Sequence, residues 1–189
     1  SRAGDPHRTL SLYRALAQKG GTAGENAEYE IGRVLRDHLR QPREAIAAWR
    51  AYRSQHPRGL LRVEADVSVV ETLLALGDKD AALAEAAEFV RRHPDSERRA
   101  EMARLAGDLQ RERGDCRAAM VAYDTAVASG AGAPREIGDG ATFFRASCVL
   151  RDDPGAGAAA LQAYLRAFPG GRFRGEARRL LDAAAGRDR

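Results

Sequence analysis

Apolar and small residues recur along this chain at helical spacing and at a fixed longer period. Trp49, Ala86, Tyr123 and Leu161 stand 37, 37 and 38 residues apart. Three residues later, Tyr52, Phe89, Ala126 and Tyr164 keep those steps, and four residues earlier so do Ala45, Ala82, Ala119 and Gly157. Pro57, Pro94, Ala131 and Pro169 follow eight residues after the first set, and Gly77 and Gly114 are also 37 apart. Steps of three and four put the first three columns on one face of a helix. The small column lets a neighbouring helix approach, and the larger ones fill the groove between helices. Proline cannot continue the helix and so marks its end. Self-similarity at such a period is the mark of stacked helical hairpins.

This register predicts the elements. Residues 7–18 read as the second helix of a truncated leading repeat, and 19–24 as a glycine-rich loop. Helix pairs follow at 25–39 with 43–55, 60–76 with 79–92, 97–112 with 115–129, and 140–150 with 154–167; a last helix, 172–185, caps the stack. Asp78, Ser96 and Asp115 are placed to accept as N-caps, and Gly77 and Gly114 to take the positive φ of the turn inside a pair. Gly130 to Gly140, with Pro134, is the longest break. No segment sustains a period of two, so no sheet is expected. The chain, 1–189, reads as one repeat domain: a partial leading repeat 7–24, repeats 25–59, 60–96, 97–133 and 134–171, and the capping helix 172–185. Trp49, Tyr52, Phe89, Tyr123, Leu161 and Tyr164 are its expected core.

The order Ala-x3-aromatic-x2-bulky-x4-Pro, with glycine five residues before the small residue, resembles the tetratricopeptide repeat. The bulky-small pair of that repeat's first helix is matched by Ile31-Gly32 and Ala106-Gly107. Val69-Val70 departs from it, which predicts looser packing in the second repeat. The period exceeds the usual length of roughly 34 residues, with the excess following the proline in His-Pro-Arg-Gly, His-Pro-Asp-Ser and Phe-Pro-Gly-Gly. The lengthened form is similar to periplasmic repeat proteins of the BamD and CpoB (YbgF) type, and to myxobacterial ones, some of which follow a FecR-like domain. The resemblance covers residues 8–185 and implies an all-α, tetratricopeptide-like right-handed superhelix of about ten antiparallel helices.

It also implies that the first helices line a concave groove. Carried over by register, the groove positions are Asn26, Tyr29, Arg33 and Arg36 in the first repeat. Glu64, Val67 and Glu71 follow in the second, and Glu101, Arg104, Asp108 and Arg111 in the third. The register around Phe143, Phe144 and Arg145 is open, so nothing is carried to the fourth. Both signs of charge and a few apolar contacts suit an extended polypeptide segment held by Arg–carboxylate pairs. Nucleic acid wants a field of one sign. The resemblance implies a disulfide as well. Cys116 starts the second helix of repeat three, and Cys148 nears the end of the first helix of repeat four. These helices are sequential and antiparallel in this architecture, and the envelope proteins it resembles carry a Gly-Asp-Cys and a later Cys in such places. The alternative is two buried free thiols acting as small apolar residues. A bridge would favour the periplasm over the cytoplasm.

Composition adds limits. The chain has 189 residues, 44% hydrophobic and 31% charged, an ordinary soluble balance, with no apolar run long enough to span a membrane. Its net charge is +4, and all basic residues but Lys19 and Lys79 are arginine. Acids interleave with them, as at Arg111, Glu112, Arg113 and Asp115; only the end is biased to arginine, from Arg166 through Arg189. An Arg-rich helical repeat that binds nucleic acid is therefore the rival reading. Arg91-Arg92, Arg98-Arg99 and Arg178-Arg179 read as solvated faces paired with Glu97, Glu101 and Glu176.

Candidate chemistry is thin. His56 and His93 precede equivalent prolines, so the repeat itself explains them, and no His-x3-His or Cys-x2-Cys pair offers a metal site. Asp37-His38 has no nucleophile by spacing, and Ser54, Ser68 and Ser147 lie within helices without a strained turn. Gly20 to Gly24 lacks the Lys-Ser/Thr ending and the preceding strand of a phosphate loop. No catalytic residue, cofactor or metal is assigned. The reading is a non-enzymatic protein-interaction module of the bacterial cell envelope, periplasmic, with the cytoplasm as the alternative. The chain starts Ser-Arg-Ala-Gly without Met, as a mature or cloned fragment would, which leaves room for a signal, lipid anchor or FecR-like domain before it.

Overall fold

A computed structural model describes residues 5–129 and 134–187. Among them are ten α-helices and no strand. The helices are α1 (Pro6–Ala17), α2 (Gly21–Arg33), α3 (Pro42–Gln55), α4 (Arg62–Ala75) and α5 (Lys79–Arg92), then α6 (Arg99–Glu112), α7 (Cys116–Ala128), α8 (Arg135–Asp152), α9 (Pro154–Ala167) and α10 (Arg174–Arg187). A π-helical turn, Val34–His38, continues α2. The chain divides into two compact units, Ser1–Glu85 and Ala86–Arg189.

In the first unit α1, α2, α3 and α4 pack each on the next. Trp49 and Tyr52 of α3 are fully buried there. Gly32 makes this possible, since its missing side chain leaves room for the indole of Trp49. In the second unit α6 through α10 pack in the same sequential way. Tyr123 is buried over Gly107, and Gly157 brings α9 against the backbone of Leu150 in α8. Phe143 is buried and stacks parallel to Phe173 at 4.7 Å. That fixes the fourth-repeat register: Phe143 faces α9 and α10, and Phe144 faces Tyr123. Phe89, Leu161 and Tyr164 are buried as the columns require. Val69 and Val70, expected to pack loosely, are also fully buried.

The caps at Asp78 and Asp115 form, accepting from Ala81 N–H at 3.1 Å and Ala118 N–H at 2.9 Å. Gly77 and Gly114 have φ of 76° and 84°. Ser96 does not cap α6. Its hydroxyl accepts from Arg98 N–H at 3.2 Å, in the turn before the helix begins at Arg99. Asp5 and Asp153 cap α1 and α9, by bonds from His7 N–H and Ala156 N–H.

Two helices begin earlier than their glycines suggest. The loop expected at 19–24 is in part the first turn of α2, with Gly24 N–H donating to Gly20 O at 3.2 Å. Gly24 is buried because α2 starts hard against the end of α1: a Cβ there would stand 3.0 Å from Ala17 O. Likewise α8 begins at Arg135 and runs through Gly138 and Gly140. Of the break expected at 130–140, residues 130–133 lie outside the described residues.

Candidate partner-binding surface

In the first unit three of the four register positions on α2 and its π turn, Tyr29, Arg33 and Arg36, bond to residues around them. Arg33 pairs with Glu30 at 3.1 Å. Arg36 pairs with Asp37 at 2.7 Å, approaches Glu71 of α4 at 3.8 Å, and lies over the Trp49 ring at 5.1 Å. The bond from Arg36 holds the Asp37 carboxyl below its usual range, against a burial effect that would raise it. Tyr29 reaches Ser68 of α4, hydroxyl to hydroxyl, at 3.4 Å. Asn26 and Glu64 are exposed. Val67 is only 4% exposed, so its apolar side chain belongs to the core.

The second unit repeats the pattern on α6. Glu101 accepts from Arg98 at 3.1 Å. Arg104 pairs with Asp108, which also accepts from the Tyr123 hydroxyl at 2.9 Å. Arg111 donates to that hydroxyl at 3.3 Å and lies 4.4 Å over the Phe144 ring. Burial lifts the Asp108 carboxyl above its usual range although Arg104 and Tyr123 oppose it. Burial and the neighbouring Asp108 push the Tyr123 phenol well above its usual value. On the π turn after α2, then, Arg36 is both stacked on a ring and held in ion pairs, while on α6 Arg111 is stacked and Arg104 is ion-paired. Such a surface offers pre-oriented guanidinium edges, and a partner's carboxylates would exchange with or extend the existing pairs.

Arg40, which the columns did not single out, completes a cavity of about 460 Å³ in the first unit with Arg36, Pro42, Glu71, Ala75 and Leu76. The available signal was its place in the column of Gly77 and Gly114. A cavity of about 420 Å³ in the second unit is lined by Arg135, Asp139, Phe168 and Arg172. No group of three or more His, Cys, Asp or Glu side chains among the described residues could hold a metal ion. No helix among them is long and apolar enough to cross a membrane. Cys116 and Cys148 form a disulfide, with Cα atoms 5.3 Å apart, that ties α7 to α8.

No protein-family model matches the chain, nor does any curated protein. Among solved structures, the MamA RS-1 ArsTM double mutant is similar in fold, with a TM-score of 0.59 at 17% identity, over 87% of this chain and 86% of that one. MamA is a tetratricopeptide-like protein, and the helical-repeat fold read from the columns is therefore shown.

Proposed function

We propose that this chain is a non-enzymatic protein-interaction module of the bacterial cell envelope that binds extended polypeptide along its first helices. Those helices are α2 and α4 in the first unit and α6 in the second. The observation that carries the reading is the stacking of Arg36 over Trp49 and of Arg111 over Phe144. A ring beneath the guanidinium fixes its plane and leaves the N–H edge to meet a carboxylate. Binding to a surface ordered in advance loses little entropy. The resemblance to periplasmic proteins of the BamD, CpoB and FecR-associated types supports the envelope, and the Cys116–Cys148 bridge is compatible with an oxidising compartment.

The test is capture of partners with the wild-type chain and with Arg33→Glu, Arg36→Glu and Arg104→Glu. Affinity for a captured protein should fall about ten-fold or more as charge-assisted bonds are lost. Unchanged affinity would remove the first helices from the interface. A salt titration with a labelled oligonucleotide addresses the rival: binding that weakens steeply with salt would favour nucleic acid. Thiol trapping in the native cells addresses location, since free Cys116 and Cys148 there would argue against the periplasm.

A further inference from the structure

Arg40 holds a place in the repeat that otherwise goes to glycine. It stands 37 residues before Gly77, at the turn inside a helix pair, as Gly77 stands 37 before Gly114. All three have positive φ: 56° at Arg40, 76° at Gly77 and 84° at Gly114. Glycine takes that conformation freely, whereas a side chain with a Cβ is strained in it. Arg40 is the one non-glycine residue with positive φ among the described residues.

The turn around it is also wider. After Gly77 and Gly114 the closing bonds run from Asp78 N–H to Leu73 O and from Asp115 N–H to Gln110 O, both 3.0 Å. After Arg40 the bond runs from Gln41 N–H to Leu35 O at 2.8 Å, one residue longer. The π turn Val34–His38 takes up the difference; such turns are frequent at functional sites. The widened turn puts Arg36 and Arg40 on one cavity of about 460 Å³, with Pro42, Glu71, Thr72, Ala75 and Leu76 as the rest of the wall. Arg36 is already matched by Asp37 and Glu71. Arg40 is exposed and has no ion pair or hydrogen bond from its side chain among the described residues. A strained residue whose side chain adds no bond to the fold is not explained by stability.

We propose that Arg40 is the anchor of a pocket for an acidic side chain of a bound polypeptide. The carboxylate accepts from the Arg40 guanidinium fork. An apolar neighbour in the same peptide lies on Pro42, Ala75 and Leu76, which is 42% exposed. One unmatched guanidinium fits one carboxylate, and Glu71 beside it repels a dianion such as phosphate. This deepens the polypeptide reading above and rests on it.

The experiment probes an array of random-sequence peptides with the full chain, as wild type, Arg40→Gly and Arg40→Asn. Wild type should prefer peptides in which Asp or Glu adjoins Leu, Ile, Val or Phe. Both variants should lose that preference by about ten-fold or more. The Tm of Arg40→Gly should stay at or above that of wild type, because glycine relieves the turn. Peptides bound equally by all three proteins would overturn the anchor and leave the polypeptide reading standing. No peptide bound by wild type would overturn both. Lost binding with a fall in Tm in both variants would make Arg40 a support of the fold and overturn the anchor. Inorganic phosphate that displaces the peptides as well as N-acetyl-aspartate amide does would assign the pocket to free anions and overturn it likewise.

Discussion

Gly32 lies flat against the ring of Trp49, so close that a Cβ on it would stand 2.3 Å from the indole Nε1. Gly107 and Tyr123 repeat the relationship in the second unit, at 2.6 Å from Cδ1. Trp49 cannot slide away, because its Nε1–H donates to Tyr29 O at 3.1 Å and the whole side chain is buried. Gly32→Ala should therefore cost about 1–3 kcal/mol through overpacking, read as a lower urea midpoint with an altered Trp49 emission. Gly175→Ala in α10 is the contrast. Nothing lies within 4 Å of that site, so helix propensity governs, and the change should stabilise by up to about 1 kcal/mol.

The helical stack and its core were legible because bulky and small columns must alternate where helices touch. Trp49, Tyr52, Phe89, Tyr123, Leu161 and Tyr164 could be named from spacing alone, and all are buried. Helix starts were not legible at Gly21 and Arg135. There glycines read as breakers, while at Gly24 the absence of a side chain serves the close approach of α2 to α1. Of the charged surface, spacing gave the face but not the partners. That Arg36 stacks on Trp49 and Arg111 on Phe144 depends on contacts 13 and 33 residues away in sequence.

A second device recurs with the tyrosines of the repeat. The Tyr52 hydroxyl donates to Glu25 at 2.7 Å and accepts from Leu61 N–H at 3.0 Å, while Glu25 accepts from Leu60 N–H at 2.7 Å. Tyr164 does the same with Asp139 at 2.6 Å and Phe173 N–H at 3.1 Å, and Asp139 takes Arg172 N–H at 2.8 Å. Each clamp ties the second helix of a pair to the first and to the following turn. Gly59 and Gly171 stand seven residues after the tyrosines because a Cβ would lie 2.4 Å from each hydroxyl. Where Phe89 replaces tyrosine, Ser96 replaces glycine. Tyr52→Phe should cost about 1–3 kcal/mol, since Leu61 N–H loses its acceptor. Gly59→Ala should be less damaging in the Tyr52→Phe background than in wild type, a non-additivity measurable by a double-mutant cycle.

These clamps also set a pH dependence. Burial, reinforced by the bond to Glu25 or Asp139, pushes the phenols of Tyr52 and Tyr164 up to about 12. The folded chain thus favours the neutral phenol. The stability this brings is full below about pH 10, the unfolded value, and is lost as pH rises from there toward about 12. Glu25 acts oppositely. The Tyr52 bond holds its carboxyl below the usual value of about 4.5, so its contribution is present above that pH and lost as pH falls below it. A series of denaturant midpoints against pH should show both declines. Tyr52→Phe with Tyr164→Phe should make the alkaline one shallower and leave the part that the raised Tyr123 phenol contributes.

Arg53 is the hinge of an ion network inside the first unit. It pairs with Asp66 at 2.8 Å and Glu85 at 2.6 Å, while Arg62 reaches Asp66 at 3.1 Å and Arg50 reaches Glu85 at 2.9 Å. Burial alone would lower the Arg53 guanidinium and raise the Glu85 carboxyl; Glu85 and Asp66 together outweigh it at Arg53, and Arg53 and Arg50 together outweigh it at Glu85. Asp66 is 2% exposed. Arg53→Ala leaves buried carboxylates with less compensation and should cost about 3–5 kcal/mol. Arg50→Ala removes only the outer partner of Glu85 and should cost under about 1 kcal/mol. Equal effects in the two variants, measured by urea unfolding, would contradict the network.

The bridge between Cys116 and Cys148 closes a loop of sequence separation 32. Cys116 sits in the first turn of α7, after the Asp115 cap, and Cys148 in the last third of α8. Both are buried among Ala119, Tyr123 and Ala141. By the chain-entropy relation a closure of this size stabilises by roughly 3–4 kcal/mol. For a domain of this length that corresponds to a fall in Tm on the order of 10 °C when the bond is lost. Cys116→Ala, Cys148→Ala and treatment with a reductant should each produce that fall, and reductant should do nothing further to either variant. Loss should be confined to stability at first, because alanine fills much of the thiol's place in an apolar cluster. The direct measurement is thiol titration of the denatured, unreduced protein, which should find none. Two titratable thiols would contradict the bridge and remove the redox argument for an oxidising compartment with it.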